Sequence, residues 1–192
     1  MKYPNGINKS FVNIKSHSNR GMNLENDLND TNNYYLNNDI AIIYKKPTPI
    51  TINKVDYKSR IDAVIKEAHF KTPSTTDYNG IYKGKYIDFE AKETKSTTSF
   101  PLNNIHKHQI DHLINIYNHG GIGFIIVRFT KLNKTYLLFV EELINFLNTN
   151  ERVSIPINYF DECAHLIKEG LNPRLDYLKI LDKEGVLHEK KV

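Results

Sequence analysis

The stretch Ser74-Thr75-Thr76-Asp77-Tyr78-Asn79-Gly80-Ile81-Tyr82-Lys83-Gly84-Lys85-Tyr86-Ile87-Asp88-Phe89-Glu90-Ala91-Lys92 reads as two strands joined by a two-residue turn. Its right half alternates by side, with Ile87, Phe89 and Ala91 pointing one way and Asp88, Glu90 and Lys92 the other. That is a strand with an apolar core face and a charged working face. The left half, Thr75 to Tyr82, is rich in Thr and Tyr, as strands are. Lys83-Gly84 supplies the turn, Gly accepting the positive φ.

With that turn, cross-strand partners have numbers summing to 167. Tyr82 then faces Lys85, Asn79 faces Asp88, Asp77 faces Glu90 and Thr75 faces Lys92. Residues directly opposed have Cβ atoms about 5 Å apart, and like charges placed there destabilise the pair. Two opposed carboxylates therefore ask for a compensating charge, which a divalent cation held by oxygen ligands supplies. Lys92 lies one step further along the same face. The alternative is a solvated hairpin face neutralised by Lys83 and Lys85, and a bulge at Asn79-Gly80 would shift the register.

Around this hairpin the 192 residues, 40% hydrophobic and 25% charged, are enough for one globular domain with a substantial core. A net charge of +4 permits a nucleic-acid partner without requiring one. One cysteine, Cys163, excludes an internal disulfide framework and a cysteine-based zinc site. The sequence shows no long apolar run and no signal peptide, so the expectation is a cytoplasmic protein with no membrane partner.

Residues 1–19 carry Lys2, Lys9 and Lys15 among Asn and Ser and read as a flexible basic arm, lying on a phosphate backbone or simply disordered. A single domain over 20–192 follows. Leu24, Leu28, Thr31, Tyr35 and Leu36 give helical spacing from about Gly21 to Asn37. Glu25 beside that stripe reads as a solvated first-turn acid, with reach toward a metal site as the alternative. Ile40 to Tyr44 reads as a buried strand. It is followed by Lys45-Lys46-Pro47-Thr48-Pro49, which cannot continue a central ladder. Ile50-Thr51-Ile52 suggests another strand, while Arg60 to Phe70 fits helix and strand equally. Residues 45–71 are locally basic with Tyr57, His69 and Phe70 interleaved, a mix suited to phosphates and bases but also to an ordinary solvated face.

Beyond the hairpin, Thr94 to Leu102 reads as a polar loop and Asn104 to Asn118 as a helix burying Ile110, Leu113, Ile114 and Tyr117, stopped by Gly120-Gly121. His106, His108 and His112 lack metal-site spacing and read as surface residues. Ile122–Phe129 and Tyr136–Val140 read as strands and Glu141–Leu147 as a helix. Asn158–Ile167 and Leu171–Leu181 read as two helical pieces around Gly170 and Pro173. No P-loop, Rossmann fingerprint or GxSxG elbow is present.

An acid, a gap and then Glu90-Ala91-Lys92 is the pattern of the PD-(D/E)xK nuclease superfamily, degenerate on its own. Longer strings are more specific. Lys45-Lys46-Pro47-Thr48-Pro49, Ser74 to Gly80, Ile87-Asp88-Phe89-Glu90-Ala91-Lys92-Glu93-Thr94, Thr98-Ser99-Phe100-Pro101-Leu102, Asn19-Arg20-Gly21-Met22 and Pro173-Arg174-Leu175-Asp176-Tyr177 closely resemble the RecU Holliday-junction resolvases. The resemblance runs from Tyr3 to about Ile180. It implies an α/β fold with a restriction-endonuclease-like mixed β-sheet core flanked by helices and a projecting β-ribbon stalk at about 45–71, which favours strands for Arg60 to Phe70.

The same resemblance implies a homodimeric, magnesium-dependent endonuclease of four-way DNA junctions, with manganese as a substitute ion and a RecA-type recombinase as a further partner. By matching strings, Thr75, Asp77, Glu90 and Gln109 are implied as magnesium ligands. Asp77, Glu90 and Lys92 are implied as the catalytic set, with Lys92 stabilising the transition state or orienting the attacking water. Arg20, Lys45, Arg60 and Phe70 are implied DNA contacts. Asp88 is read as an acid that braces a ligand or forms a salt bridge, not as a ligand itself. The stretch Tyr57-Lys58-Ser59-Arg60 lacks the proline expected after the tyrosine. Two other readings stay open: a PD-(D/E)xK endonuclease of another DNA substrate, and a branched-DNA binding protein that modulates a recombinase without cleaving.

Overall fold

The computed structural model describes residues 23–57, 59, 61–71 and 75–185. Along the chain, helix α1 (Leu24–Asn37) precedes strands β1 (Ile42–Lys45), β2 (Ile50–Asp56), β3 (Val64–Phe70), β4 (Tyr78–Tyr82), β5 (Lys85–Thr94) and β6 (Ser99–Pro101). A 3₁₀ turn (Leu102–Asn104) leads to α2 (Lys107–Asn118), β7 (Ile122–Phe129), β8 (Lys134–Phe139), α3 (Val140–Thr149) and β9 (Ser154–Pro156). The described chain closes with α4 (Ile157–Cys163), β10 (His165–Ile167) and α5 (Leu178–Lys183).

The hairpin forms as its residues dictate. Lys83 and Gly84 take φ of 48° and 78°, the two left-handed positions that match the twist of the flanking strands. β4 and β5 pair in the expected register, Tyr82 with Lys85, Asn79 with Asp88 and Tyr78 with Phe89. The ladder ends at Tyr78, so Thr75 and Asp77 precede β4 and do not pair with β5 as strand partners. The backbone carbonyl of Asp77 instead accepts the N–H of Lys46 at 2.7 Å. At Gly80 a side chain would strike the Ile42 carbonyl and Ile43 Cα, so glycine lets β1 close on β4.

Among the described residues, six strands build the main sheet in the order β1-β4-β5-β7-β8-β10. Among its described pairs only β5 and β7 run parallel, and α2 lies in the connection between them, as a parallel crossover requires. One face of the sheet buries Ile43, Tyr78, Ile87, Phe89 and Phe124 against Leu24, Leu28 and Tyr35 of α1 and against Tyr177, Leu178 and Leu181 near the C-terminal end. The other buries Ile125, Val127, Phe129 and Leu138 against Leu113 of α2, Leu143 and Phe146 of α3, and Phe160 of α4. This is the expected α/β class, a mixed sheet flanked by helices on both faces.

β2 and β3 form a separate antiparallel ribbon in which every residue of both strands is exposed. Strands, not a helix, therefore carry Val64 to Phe70. Lys45 belongs to β1 of the main sheet, so the ribbon starts later than the basic stretch did.

Other expectations need correction. Of the Ile40–Tyr44 run only Ala41 and Ile43 are buried. β1 is an edge strand whose Ile42 and Tyr44 face outward. β6 pairs with β9 inside the supposed polar loop. His165–Ile167 is not helical but adds an edge strand to β8, where ladder hydrogen bonds outweigh local helical spacing. Residues 171–177 are likewise non-helical. Leu175 and Tyr177 are wholly buried there, with the Leu175 N–H donating to Thr31 and the Tyr177 hydroxyl to Asn32 of α1.

Candidate active site

Asp77 leads into β4, Glu90 and Lys92 ride on β5, and Lys45 and Lys46 leave the end of β1. Of these, Lys45, Asp77 and Lys92 come together with the N-terminal turn of α1. That turn is fastened locally: Asn23 caps it through the Asn26 N–H at 2.9 Å, and the Leu24 N–H donates to Glu93 Oε1 at 2.8 Å. Such anchoring of helix N–H groups by an amide and a carboxylate satisfies donors that would otherwise be orphaned. A cleft opens there, lined among others by Glu25, Lys45, Asp77, Lys92 and Glu93.

Glu90 is fully buried beside that cleft. Its Oε2 accepts the Asp77 N–H at 3.1 Å. Among the described residues its Oε1 finds no well-aligned hydrogen bond, only the close ion pair with Lys92 Nζ at 2.6 Å. Burial pushes the Glu90 carboxyl up to about 7, and the neighbouring Asp77 carboxylate pushes the same way. Lys92 opposes both. The sequence thus pointed correctly to two carboxylates that repel each other, but the contact is made through a loop residue and not through a ladder pair.

Asp88 is also fully buried and stands apart from that pair. Its carboxylate accepts the Thr76 hydroxyl and the Tyr86 hydroxyl and pairs with Lys46 at 2.8 Å, with His112 Nε2 at 3.2 Å. A salt-bridged acid was the expectation and is what the geometry gives. The surface reading of His112 is corrected, since it reaches from α2 into this cluster.

The remaining implied residues scatter. Thr75 is half-buried just upstream. Gln109 is buried, and its Oε1 accepts the His106 N–H at the start of α2 at 3.0 Å. None of its described hydrogen bonds reaches Asp77 or Glu90. Lys45 pairs with Glu25 at 2.6 Å in the cleft, an exposed pair of small energetic weight, and Glu25 is an exposed acid in the first turn of α1, as its solvated reading had it. Phe70 ends the ribbon, 83% exposed. Arg20 and Arg60 lie outside the described residues.

Sequence reasoning missed Lys46, Thr76, His112 and Glu93 as neighbours of the site. Lys46 and Thr76 lay inside the quoted motif strings, and Glu93 directly follows Lys92. For His112 only the four-residue spacing from His108 was visible, and it gave no direction.

The residues present suit a hard divalent ion. Among the described residues no group of three or more His, Cys, Asp or Glu is disposed to hold a metal. Asp77, which lines the cleft, and the buried Glu90 beside it are the two carboxylates that repel each other. Magnesium is commonly bound by one or two carboxylates plus waters and substrate phosphate. A buried carboxylate oxygen lacking a well-aligned donor, beside a second carboxylate, is an arrangement a cation would relieve.

The model of the family "Recombination protein U" (RecU) matches residues 19–183. Curated relatives named Holliday junction resolvase RecU from Bacillus mycoides (strain KBAB4) and Bacillus cereus (strain B4264) are each 51% identical over 193 aligned positions. Each alignment covers 95% of this chain and 96% of the relative. Among solved structures, Archaeoglobus fulgidus Hjc, a Holliday junction resolvase, aligns with a TM-score of 0.35 at 11% identity, covering 51% of this chain and 75% of that one. The strings around Asp77 and Glu90 that shape the site lie within the family match, and the chain belongs to the RecU family.

Proposed function

We propose that this chain is a Holliday junction resolvase, a magnesium-dependent endodeoxyribonuclease that nicks two opposed strands of a four-way junction in recombination and repair. The observation that carries the reading is the buried Glu90 carboxylate set against Asp77 with Lys92 at 2.6 Å. The names of the 51%-identical relatives support the choice of substrate.

Asp77 and Glu90 would hold the ion, with Thr75 and Gln109 as further oxygen donors if Gln109 gives up its bond to His106. Magnesium, or manganese in its place, would polarise the scissile phosphate and lower the pKa of a water. Lys92, half-buried and already drawn to Glu90, stands where it can neutralise charge developing on the phosphate or orient the attacking water. Lys45 at the cleft mouth and Phe70 on the exposed ribbon offer a cation and an aromatic face to DNA, and Arg20 and Arg60 are proposed contacts alongside them.

Paired nicks require two sites, hence a homodimer. Among the described residues, the sheet at β1 and β4 leaves Ile42 53%, Tyr44 55% and Ile81 56% exposed, which supports a second copy seated there, since exposed clustered apolar side chains mark association surfaces. A RecA-type recombinase as a further partner rests on the family resemblance alone. No described helix is long and apolar enough to cross a membrane. Action on DNA supports a cytoplasmic place of work.

The test is cleavage of a mobile four-way junction against linear duplex of the same sequence, in magnesium. Symmetric paired nicks confined to the junction support the reading. Preferential cutting of plain duplex would replace the substrate while keeping the nuclease, and junction binding without any cleavage would leave only a binding protein.

A further inference from the structure

Asp88 lies two residues before Glu90 on the same face of β5 and is completely buried. Its partners form a closed set. Thr76 Oγ1 donates to Oδ1, and Lys46 Nζ reaches Oδ2 at 2.8 Å. The same Lys46 Nζ also donates to Thr76 Oγ1 at 3.0 Å. Carboxylate, ammonium and hydroxyl thus make a triangle, with the Tyr86 hydroxyl and His112 completing the surroundings of Oδ2. Lys46 also holds the residue after Thr76, its backbone N–H donating to the Asp77 carbonyl at 2.7 Å.

This grip falls where the sheet supplies none. The β4–β5 ladder starts at Tyr78 and Phe89, so Thr76 and Asp77 receive no strand pairing from β5. Their placement rests on the Lys46–Asp88–Thr76 contacts, on the Lys46 N–H bond to the Asp77 carbonyl and on the Asp77 N–H bond to Glu90. A buried carboxylate and ammonium are expensive to desolvate, and an apolar pair of similar volume often stabilises a protein as well or better. Stability alone is therefore a poor account of a charged triangle next to the loop residue that must meet Glu90.

We propose that Asp88 and Lys46 are positioning residues of the nuclease site: clamped on Thr76, they orient the Asp77 carboxylate against Glu90. Neither residue need touch substrate. The proposal rests on Asp77 and Glu90 being the cation-holding pair. It predicts that the Thr76 hydroxyl matters, although that hydroxyl faces Asp88 and not the cleft.

Thr76→Val removes the hydroxyl while keeping the volume, and Thr76→Ser keeps the hydroxyl. Thr76→Val should lower kcat on a four-way junction by about 10- to 100-fold, the usual consequence of a misplaced catalytic group. KM should stay within about twofold, since junction contacts are untouched. Manganese affinity of the DNA-free protein, read by calorimetry, should weaken by at least about fivefold, because the support that orients the Asp77 ligand is loosened. Thr76→Ser should restore kcat and metal affinity to within about threefold of the parent. Lys46→Met releases the same clamp from its other end and should reproduce the split, which keeps the test decisive if Thr76→Val does not fold. Parent-like kcat and metal affinity in Thr76→Val, or equal losses in the valine and serine variants, would overturn the proposal. Asp77→Ala is measured in parallel. If it also cleaves normally, the assignment of the site itself fails. If it is inactive while Thr76→Val is parent-like, only the positioning role fails.

Discussion

Replacing Glu90 by glutamine should stabilise the metal-free protein at pH 8 while removing its activity. Glu90 is wholly buried, and its carboxyl is pushed up to about 7 from 4.5, first by burial and then by Asp77. In the unfolded chain it ionises through pH 4.5, whereas in the folded protein it holds its proton until about pH 7. The folded state therefore loses stability as pH rises through that window, and by about pH 8 the loss is complete. The gap corresponds to roughly 3 kcal/mol. The Glu90→Gln side chain keeps an oxygen for the Asp77 N–H, and the Lys92 attraction it forgoes is already contained in the value of about 7. A stabilisation of roughly 3 kcal/mol at pH 8 is expected, shrinking toward zero near pH 4.5. Urea denaturation of both proteins in chelator, at about pH 8 and about pH 5, measures it. A Glu90→Gln protein less stable than the parent at the higher pH, or a difference unchanged by pH, would refute the reasoning.

Because the ion must displace the Glu90 proton, magnesium affinity should rise between about pH 6 and 8, and calorimetry in buffers of different ionisation heat should detect proton release at the lower end; affinity flat with pH would contradict this. Lys92→Ala should cut kcat by about 10²- to 10³-fold in single-turnover assays, the scale for a group that meets developing charge, while junction affinity by gel shift hardly changes. Asp27 of α1 is buried between Arg128 at 2.7 Å and Arg174 at 3.3 Å. Asp27→Ala takes the shared carboxylate from both arginines and should destabilise by about 3–5 kcal/mol in urea denaturation, where a change under about 1 kcal/mol would refute it.

The hairpin was legible because local chemistry wrote it. Lys83-Gly84 could adopt the paired positive φ, and alternation put Ile87 and Phe89 on one side and Asp88 and Glu90 on the other. The ribbon residues 64–70 were ambiguous because helix and strand spacing coincide over so short a run, and only the family likeness leaned toward strands. His165–Ile167 was misread because so short an edge strand is made by its partner β8, which local spacing cannot see. In the site, Asp77 and Glu90 came from register arithmetic, although the ladder stops one residue short of Asp77. The Lys46–Asp88–Thr76 triangle joins residues 30 and 42 positions apart in sequence. No periodicity encodes such a contact. Glu25 and Lys45 were likewise placed together only by the packing of α1 over the end of β1.

The central claim is that Asp77 and Glu90 hold one divalent ion between them. Its most direct test is a crystal of the protein soaked in manganese, with anomalous scattering used to place the metal. A single strong peak is expected about 2.1 Å from an oxygen of each carboxylate, the distance hard six-coordinate ions require, with Lys92 drawn off Glu90 Oε1. A peak away from both residues, or Glu90 still paired with Lys92 and no metal beside it at saturating manganese, would contradict it.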